Sequence, residues 1–305
     1  MMRKTVKAGT FVAIPLRSKL WKPKTDFKQE IVKLISGIAT TGDYVVLSEK
    51  ALSTAMGLVC DESTIDSDPY SELMVFLTVR LLWGKMLGRL CRLSPETVKL
   101  LEDYPIIEGA RHKKLVLRVG GPLQALKPTS EAGVDATNLP GHLVSLPLVK
   151  PFEVARAIRE YISKKLGIHV NVVVVDTDKC YKVKKHVSLI LACRMTRLPM
   201  LVNLGFISFL IARAFRRFFT PYATPIGFSP LGLDVDELLT VSELADRSRG
   251  FGAGRTLSEV EKAFGVKATQ ITWDLLDTIP HYPVVVIKRL KNRNIKVPWQ
   301  PPRHL

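Results

Sequence analysis

Cysteine is scarce in this chain: Cys60, Cys91, Cys180 and Cys193 are scattered over 305 residues, with no C-x-x-C pair and no histidine nearby at zinc spacing. That excludes a local zinc motif and a secreted disulfide scaffold, and free thiols point to a reducing compartment. The opening MMRKTVKAGTFVAIPL has only a short apolar stretch before Pro15 and Arg17, so no secretory signal is expected and cytoplasm follows. The nucleotide loop G-x-x-x-x-G-K-[ST] is missing, as is the nucleophile elbow G-x-S-x-G. The six histidines, at 112, 142, 169, 186, 281 and 304, show no close metal spacing. Internal repeats and low-complexity tracts are absent too, which argues against a solenoid or a disordered chain.

Acids are few beside bases. Lysine and arginine number 45 against 28 aspartates and glutamates, a formal charge of +17, so the surface attracts anions. Nucleotide phosphates, nucleic acid and anionic lipid all satisfy that field, and zinc-finger, RNP-like and basic-heptad signatures for nucleic acid are missing. Long apolar runs are also rare. The segment 199–220, PMLVNLGFISFLIARAFRRFFT, is interrupted by Asn203, Arg213, Arg216 and Arg217 and falls short of the ~20 apolar residues of a span. It reads as a buried or subunit-interface helix, with an interfacial membrane helix as the alternative.

What is present is a globular α/β pattern, with 47% hydrophobic residues. TVKAGTFVAIPL predicts an opening strand, followed by a helix carrying Phe27, Ile31, Leu34 and Ile35 with Thr25 or Asp26 as cap. GDYVVLSEKALSTAMG reads as a turn, a buried strand and a small-residue loop. Residues 68–101 read as helices, with Ser94 a cap and Pro95 in a first turn. KKLVLRVGG is a short strand candidate, PLQALKPTSEA is loop-like, and GVDATNLPG is turn-rich. FEVARAIREYISKKLGI predicts a helix ended by Gly167, and HVNVVVVDTD a buried strand whose acids stand at its end, where α/β proteins commonly meet ligands. Asp176 and Asp178, two residues apart there, repel unless a cation lies between them. VSLILAC and YPVVVIKRL read as further strands, TLSEVEKAF and ITWDLLDTI as helices, and KVPWQPPRHL as an extended tail. RGFGAGRT, 249–256, reads as a flexible loop rather than a phosphate cradle.

The order GDYVVLSEKALSTAMG, GVDATNLPG, helix, VVVVDTD, YPVVVIKRL resembles the coenzyme F420-0:L-glutamate ligase family over roughly 12–60, 130–193 and 270–290. The resemblance implies an α+β (mixed α/β) fold with mixed sheets flanked by helices, in two subdomains around a cleft. Residues 1–194 and 255–305 would form the ligase body and 195–254 an insertion. It implies an enzyme that joins L-glutamate to a phosphorylated deazaflavin, F420-0, through an acyl phosphate, using GTP and Mg²⁺ or Mn²⁺, as a homodimer. By position, Asp135, Asp176, Thr177 and Asp277 would serve metal, the last replacing a family glutamine. Ser18, Lys19, Leu20, Trp21, Glu49, Lys50, Thr54 and Asn138 would serve nucleotide. The chain departs from the pattern at Ser53–Gly57, where the family has S-K-A-E-G, at DKCYKVKK after Thr177, and in the spacing of Arg111 and His112. Two alternatives stay open: a ligase for another acid and amine, or a non-catalytic basic protein binding nucleic acid or a membrane surface.

Overall fold

The structure, a computed structural model, describes residues 6–8, 10–128, 131–184, 189–254 and 256–290. In chain order these form β1 (Val6–Ala8), β2 (Phe11–Ser18), α1 (Phe27–Ile35), β3 (Tyr44–Ser48), α2 (Glu49–Ala55), β4 (Val59–Asp61) and α3 (Pro69–Val75). A π-wound stretch, Phe76–Leu87, carries α3 into α4 (Gly88–Leu90), followed by α5 (Pro95–Glu102), α6 (Ile106–Gly120), α7 (Pro122–Ala125) and β5 (Leu143–Ser145). Then come α8 (Pro151–Leu166), β6 (Asn171–Val183), β7 (Ile190–Ala192), β8 (Leu201–Asn203), α9 (Phe206–Ala214) and β9 (Phe219–Ser229). The last elements are α10 (Val235–Arg249), α11 (Leu257–Phe264), α12 (Trp273–Asp277) and β10 (His281–Arg289). The fold is α+β, as the resemblance implied.

One mixed sheet runs β1-β2-β10-β3-β6-β7-β8, with β9 on the other edge of β6. Among the described strand pairs only β3–β6 and β7–β8 are parallel. The valine runs follow from burial on both faces. Val45, Leu47, Val172, Val174, Val284 and Val286 face α1, α2 and α8, while Val46, Val173, Val175, Val285 and Ile287 face α10. Each such side chain contributes roughly 1.5–3 kcal/mol of burial. Small residues in α2, among them Ala51, Ser53, Thr54 and Ala55, are buried.

A second unit holds α3 to α7 and the β4–β5 pair. Val75, Val79, Trp83, Leu101 and Ala110 form one of its cores, and Leu115, Val116, Val134 and Val144 another. Its helices are capped as the sequence indicates: the Ser94 hydroxyl accepts from the Thr97 N–H. In the main unit Asp26, not Thr25, caps α1, and Gly167 ends α8 in the left-handed conformation.

Several expectations change. KKLVLRVGG is helix, the C-terminal half of α6, because its buried positions, Ala110, Lys113 and Val116, follow a helical period once Lys113 is paired inside the protein. The small-residue segment after β3 is helix α2 rather than loop. The single helix expected over 199–220 is β8, α9 and the start of β9. Within 195–254, β9 pairs with β6 along its length and α10 covers one sheet face. The tail KVPWQPPRHL lies outside the described residues. None of the four cysteines is in a disulfide. Among the described residues no helix is long and apolar enough to cross a membrane.

Candidate active site

The acids of VVVVDTD do not end their strand, because β6 continues to Val183. They fill a gap in its pairing. On one edge β3 stops at Ser48 opposite Val175, and on the same strand β7 approaches from the far end and stops at Ala192 opposite Cys180. The β6–β9 register shifts twice, between Val174 and Val175 and between Asp176 and Lys179, a bulge that re-aims side chains. The residues that follow β3 and β7 are therefore delivered to the same place: Glu49 from one side and Arg194 from the other.

Arg194 joins them. Its guanidinium lies 2.7 Å from Glu49 Oε1 and 2.6 Å from Asp176 Oδ2, and Glu49 Oε1 also accepts the Leu148 N–H at 2.8 Å. Gly133, in the GVDATN loop at φ 80°, packs so closely on this guanidinium that any side chain there would collide with it. Asp178 turns the other way to Lys127 at 2.9 Å, both side chains under 5% exposed. Burial, opposed by Arg194 and reinforced by Asp176, pushes the Glu49 carboxyl up to about 7. Burial likewise raises Asp178 to about 6 against the pull of Lys127. Arg194 stays firmly charged, since Glu49 and Asp176 outweigh its desolvation.

Asp135 belongs to the neighbouring loop. Its carboxylate accepts the Thr137 N–H and hydroxyl at 2.8 Å and pairs with Lys50 of α2 at 2.5 Å. Burial works against its charge, but Lys50 and Thr137 hold its pKa below the ordinary value. The side chain is 37% exposed, so it is the open carboxylate of the group. Thr177 donates to Asp246 of α10, which also binds Lys179 and Arg249.

The other expected positions are distributed around this centre. Asn138, at φ 57°, spends its amide on the glycine-rich loop, accepting from the Ala253 N–H at 2.7 Å and donating to the Phe251 and Gly254 carbonyls. The Thr54 hydroxyl donates to the Lys50 carbonyl within α2. Ser18 accepts from the Trp21 indole N–H, Trp21 is core, Leu20 packs beside Val260, and Lys19 is exposed. Asp277 pairs with Lys22 at 2.8 Å, and no described contact joins it to Asp135 or Asp176. Arg194, Lys127 and Arg249 escape sequence reasoning. Arg194 and Lys127 stand in stretches without motif, Arg249 opens the glycine-rich run, and only the fold brings all three to the acids.

Oxygen donors of this kind suit Mg²⁺ or Mn²⁺. Among the described residues no three His, Cys, Asp or Glu side chains form a metal-holding group. An ion shared with phosphates and water would need only one or two carboxylates, and Asp135 and Asp176 are the ones that would be offered, each now paired with a base.

Comparison with known proteins agrees with the motif order. Residues 15–202 match the F420-0:gamma-glutamyl ligase family. The chain is also 31% identical over 295 residues to an uncharacterized protein of Methanocaldococcus jannaschii, an alignment covering 90% of this chain and 96% of that one. The chain belongs to the F420-0:gamma-glutamyl ligase family, and a gamma-glutamyl ligase of F420 biosynthesis is the activity that membership supports.

Proposed function

We propose that the chain joins L-glutamate to F420-0 by a GTP-driven, acyl-phosphate route with Mg²⁺ or Mn²⁺ as nucleotide counter-ion. A carboxylate oxygen of F420-0 attacks the γ-phosphorus and GDP leaves. The amine of glutamate then attacks the acyl carbon, phosphate departs, and the amine gives up a proton. The observation that carries this reading is the convergence of Glu49, Lys50, Asp135, Asp176 and Arg194 where β3 and β7 stop.

Within it, Asp135 is the accessible carboxylate for the ion, and Asp176 the second, behind Arg194. A divalent ion there would neutralise phosphate charge, the main requirement of phosphoryl transfer. Lys50 and Arg194, relieved of their carboxylates, can face phosphoryl or carboxylate oxygens. Glu49, raised to about 7 by burial, is partly ionised at neutrality and in that form is suited to accept a proton from the attacking amine. Homodimer assembly is proposed with this activity and can be read by light scattering.

The test is incubation of the purified chain with GTP, Mg²⁺ or Mn²⁺, L-glutamate and F420-0. The expected result is a product heavier by one glutamyl residue, lost in Asp135→Ala and Asp176→Ala. GTP hydrolysis without that product would move the substrate to another acid and amine. Anion binding unaffected by both substitutions and steeply weakened by salt would instead mark a basic binding protein.

A further inference from the structure

Beside the acids, two buried side-chain nitrogens have no hydrogen-bond partner among the described residues. Arg249 ends α10 with its side chain 8% exposed, and one guanidinium nitrogen meets Asp246 at 3.2 Å. Its other terminal nitrogen, Nη1, is buried and has no hydrogen-bond partner among the described residues. His281 opens β10, its ring edge-on to Trp21, and its Nε2 is buried and equally unmatched. Buried polar atoms are ordinarily satisfied, so two such nitrogens point to a missing partner.

The surroundings specify its charge. Burial, then Arg249 and Lys50, disfavour the protonated ring and take His281 down to about 4, with Asp277 opposing. Lys50 reaches the same corner through Thr137, whose chain neighbour Asn138 binds the loop that follows Arg249. The nearby carboxylates are already engaged, Asp246 by Lys179 and Thr177 and Asp277 by Lys22. The chain turns away from Arg249 through Gly250 and Gly252, both at positive φ, and Asn138 holds that loop.

We propose that Arg249, His281 and Lys50 form a phosphate-binding corner in which Arg249 Nη1 and His281 Nε2 donate to phosphoryl oxygens and Lys50 supplies charge. Arg249 and His281 both lie beyond the family match at 15–202, so neither role is carried over from it. Phosphate binding here does not depend on the ligase reading. That reading only identifies the sources, the phosphates of GTP or the phosphodiester of F420-0.

Calorimetric titration of the full chain with inorganic tripolyphosphate, GTP and F420-0 tests it. Arg249→Ala should weaken tripolyphosphate on the order of ten-fold, the loss of one charge-assisted bond. Arg249→Lys should weaken it nearly as much, because an ammonium lacks the planar fork. His281→Phe keeps the ring and removes the donor, and should weaken binding several-fold. Arg89→Ala, an exposed base of the helical unit, should change nothing. A loss confined to GTP assigns the corner to the nucleotide, and one confined to F420-0 assigns it to the acid substrate. Unchanged affinity for all three probes in folded Arg249→Lys and His281→Phe, or an equal loss in Arg89→Ala, overturns the proposal. Failure of the ligase assay with these affinities altered would leave the corner standing and remove only the ligase reading.

Discussion

One guanidinium serves two carboxylates when Arg194 binds Glu49 and Asp176, and burial makes Glu49 harder to ionise than in free solution. Glu49 ionises at about 4.5 in an unstructured chain and at about 7 in the folded protein, chiefly through burial. Between those values the folded state holds a proton that the unfolded state has released. Its stability contribution is therefore full below pH 4.5 and falls as pH rises toward 7, by about 1.4 kcal/mol per pH unit where one whole proton differs. Glu49→Gln cannot titrate. Urea denaturation at pH 5, 6, 7 and 8 should show a shallower decline for this variant than for wild type, and equal slopes would refute the assignment. Some decline below about pH 6 should remain, since Asp178 shifts in the same direction. Asp135 and Asp246, held low by their cations, act below this window. The acids were legible in the sequence because VVVVDTD and GVDATN are unusual strings. Arg194 was not, since nothing in LACRMTRL announces that its strand ends opposite β3.

At the scale of elements, local signals were readable and long-range ones were not. Asp26, Ser94 and Thr256 cap helices through side-chain bonds three residues away, within reach of a sequence window. The α6 helix was hidden because Lys113, a residue ordinarily solvated, is 1% exposed and bound to Glu131. The glycine-rich loop looked flexible because its restraint comes from 115 residues away, from Asn138. Replacing that residue by glycine tolerates φ 57° while removing the amide. Asn138→Gly should therefore speed hydrogen exchange across 250–254, with the Ala253 amide changing most, at a global cost on the order of 1 kcal/mol. Unchanged exchange there would mean that the loop is fixed by other contacts.

Across the whole molecule, the helical unit meets the sheet through polar contacts and through Phe209 of α9, whose ring packs edge-on to both Trp83 and Tyr181. The Gln124 side chain donates to the Cys193 carbonyl, Lys127 pairs with Asp178, and Gly133 lies on Arg194. The polar contacts of this join carry no hydrophobic period, so the sequence does not announce them. A buried pair is no stronger than a well-packed apolar pair, but a buried charge left alone is costly. Lys127→Met removes the cation paired with Asp178, and Asp178→Asn removes the anion paired with Lys127; each should cost ~3–5 kcal/mol. The double variant removes both charges, so it should be more stable than the sum of the singles implies, by a coupling energy of about 2 kcal/mol or more. Because both residues join the two units, each single variant should also loosen 95–125, measurable as faster amide exchange, before the sheet itself unfolds. Additive losses in urea, with exchange in 95–125 unchanged, would show that the Lys127–Asp178 pair does not hold the helical unit against the sheet.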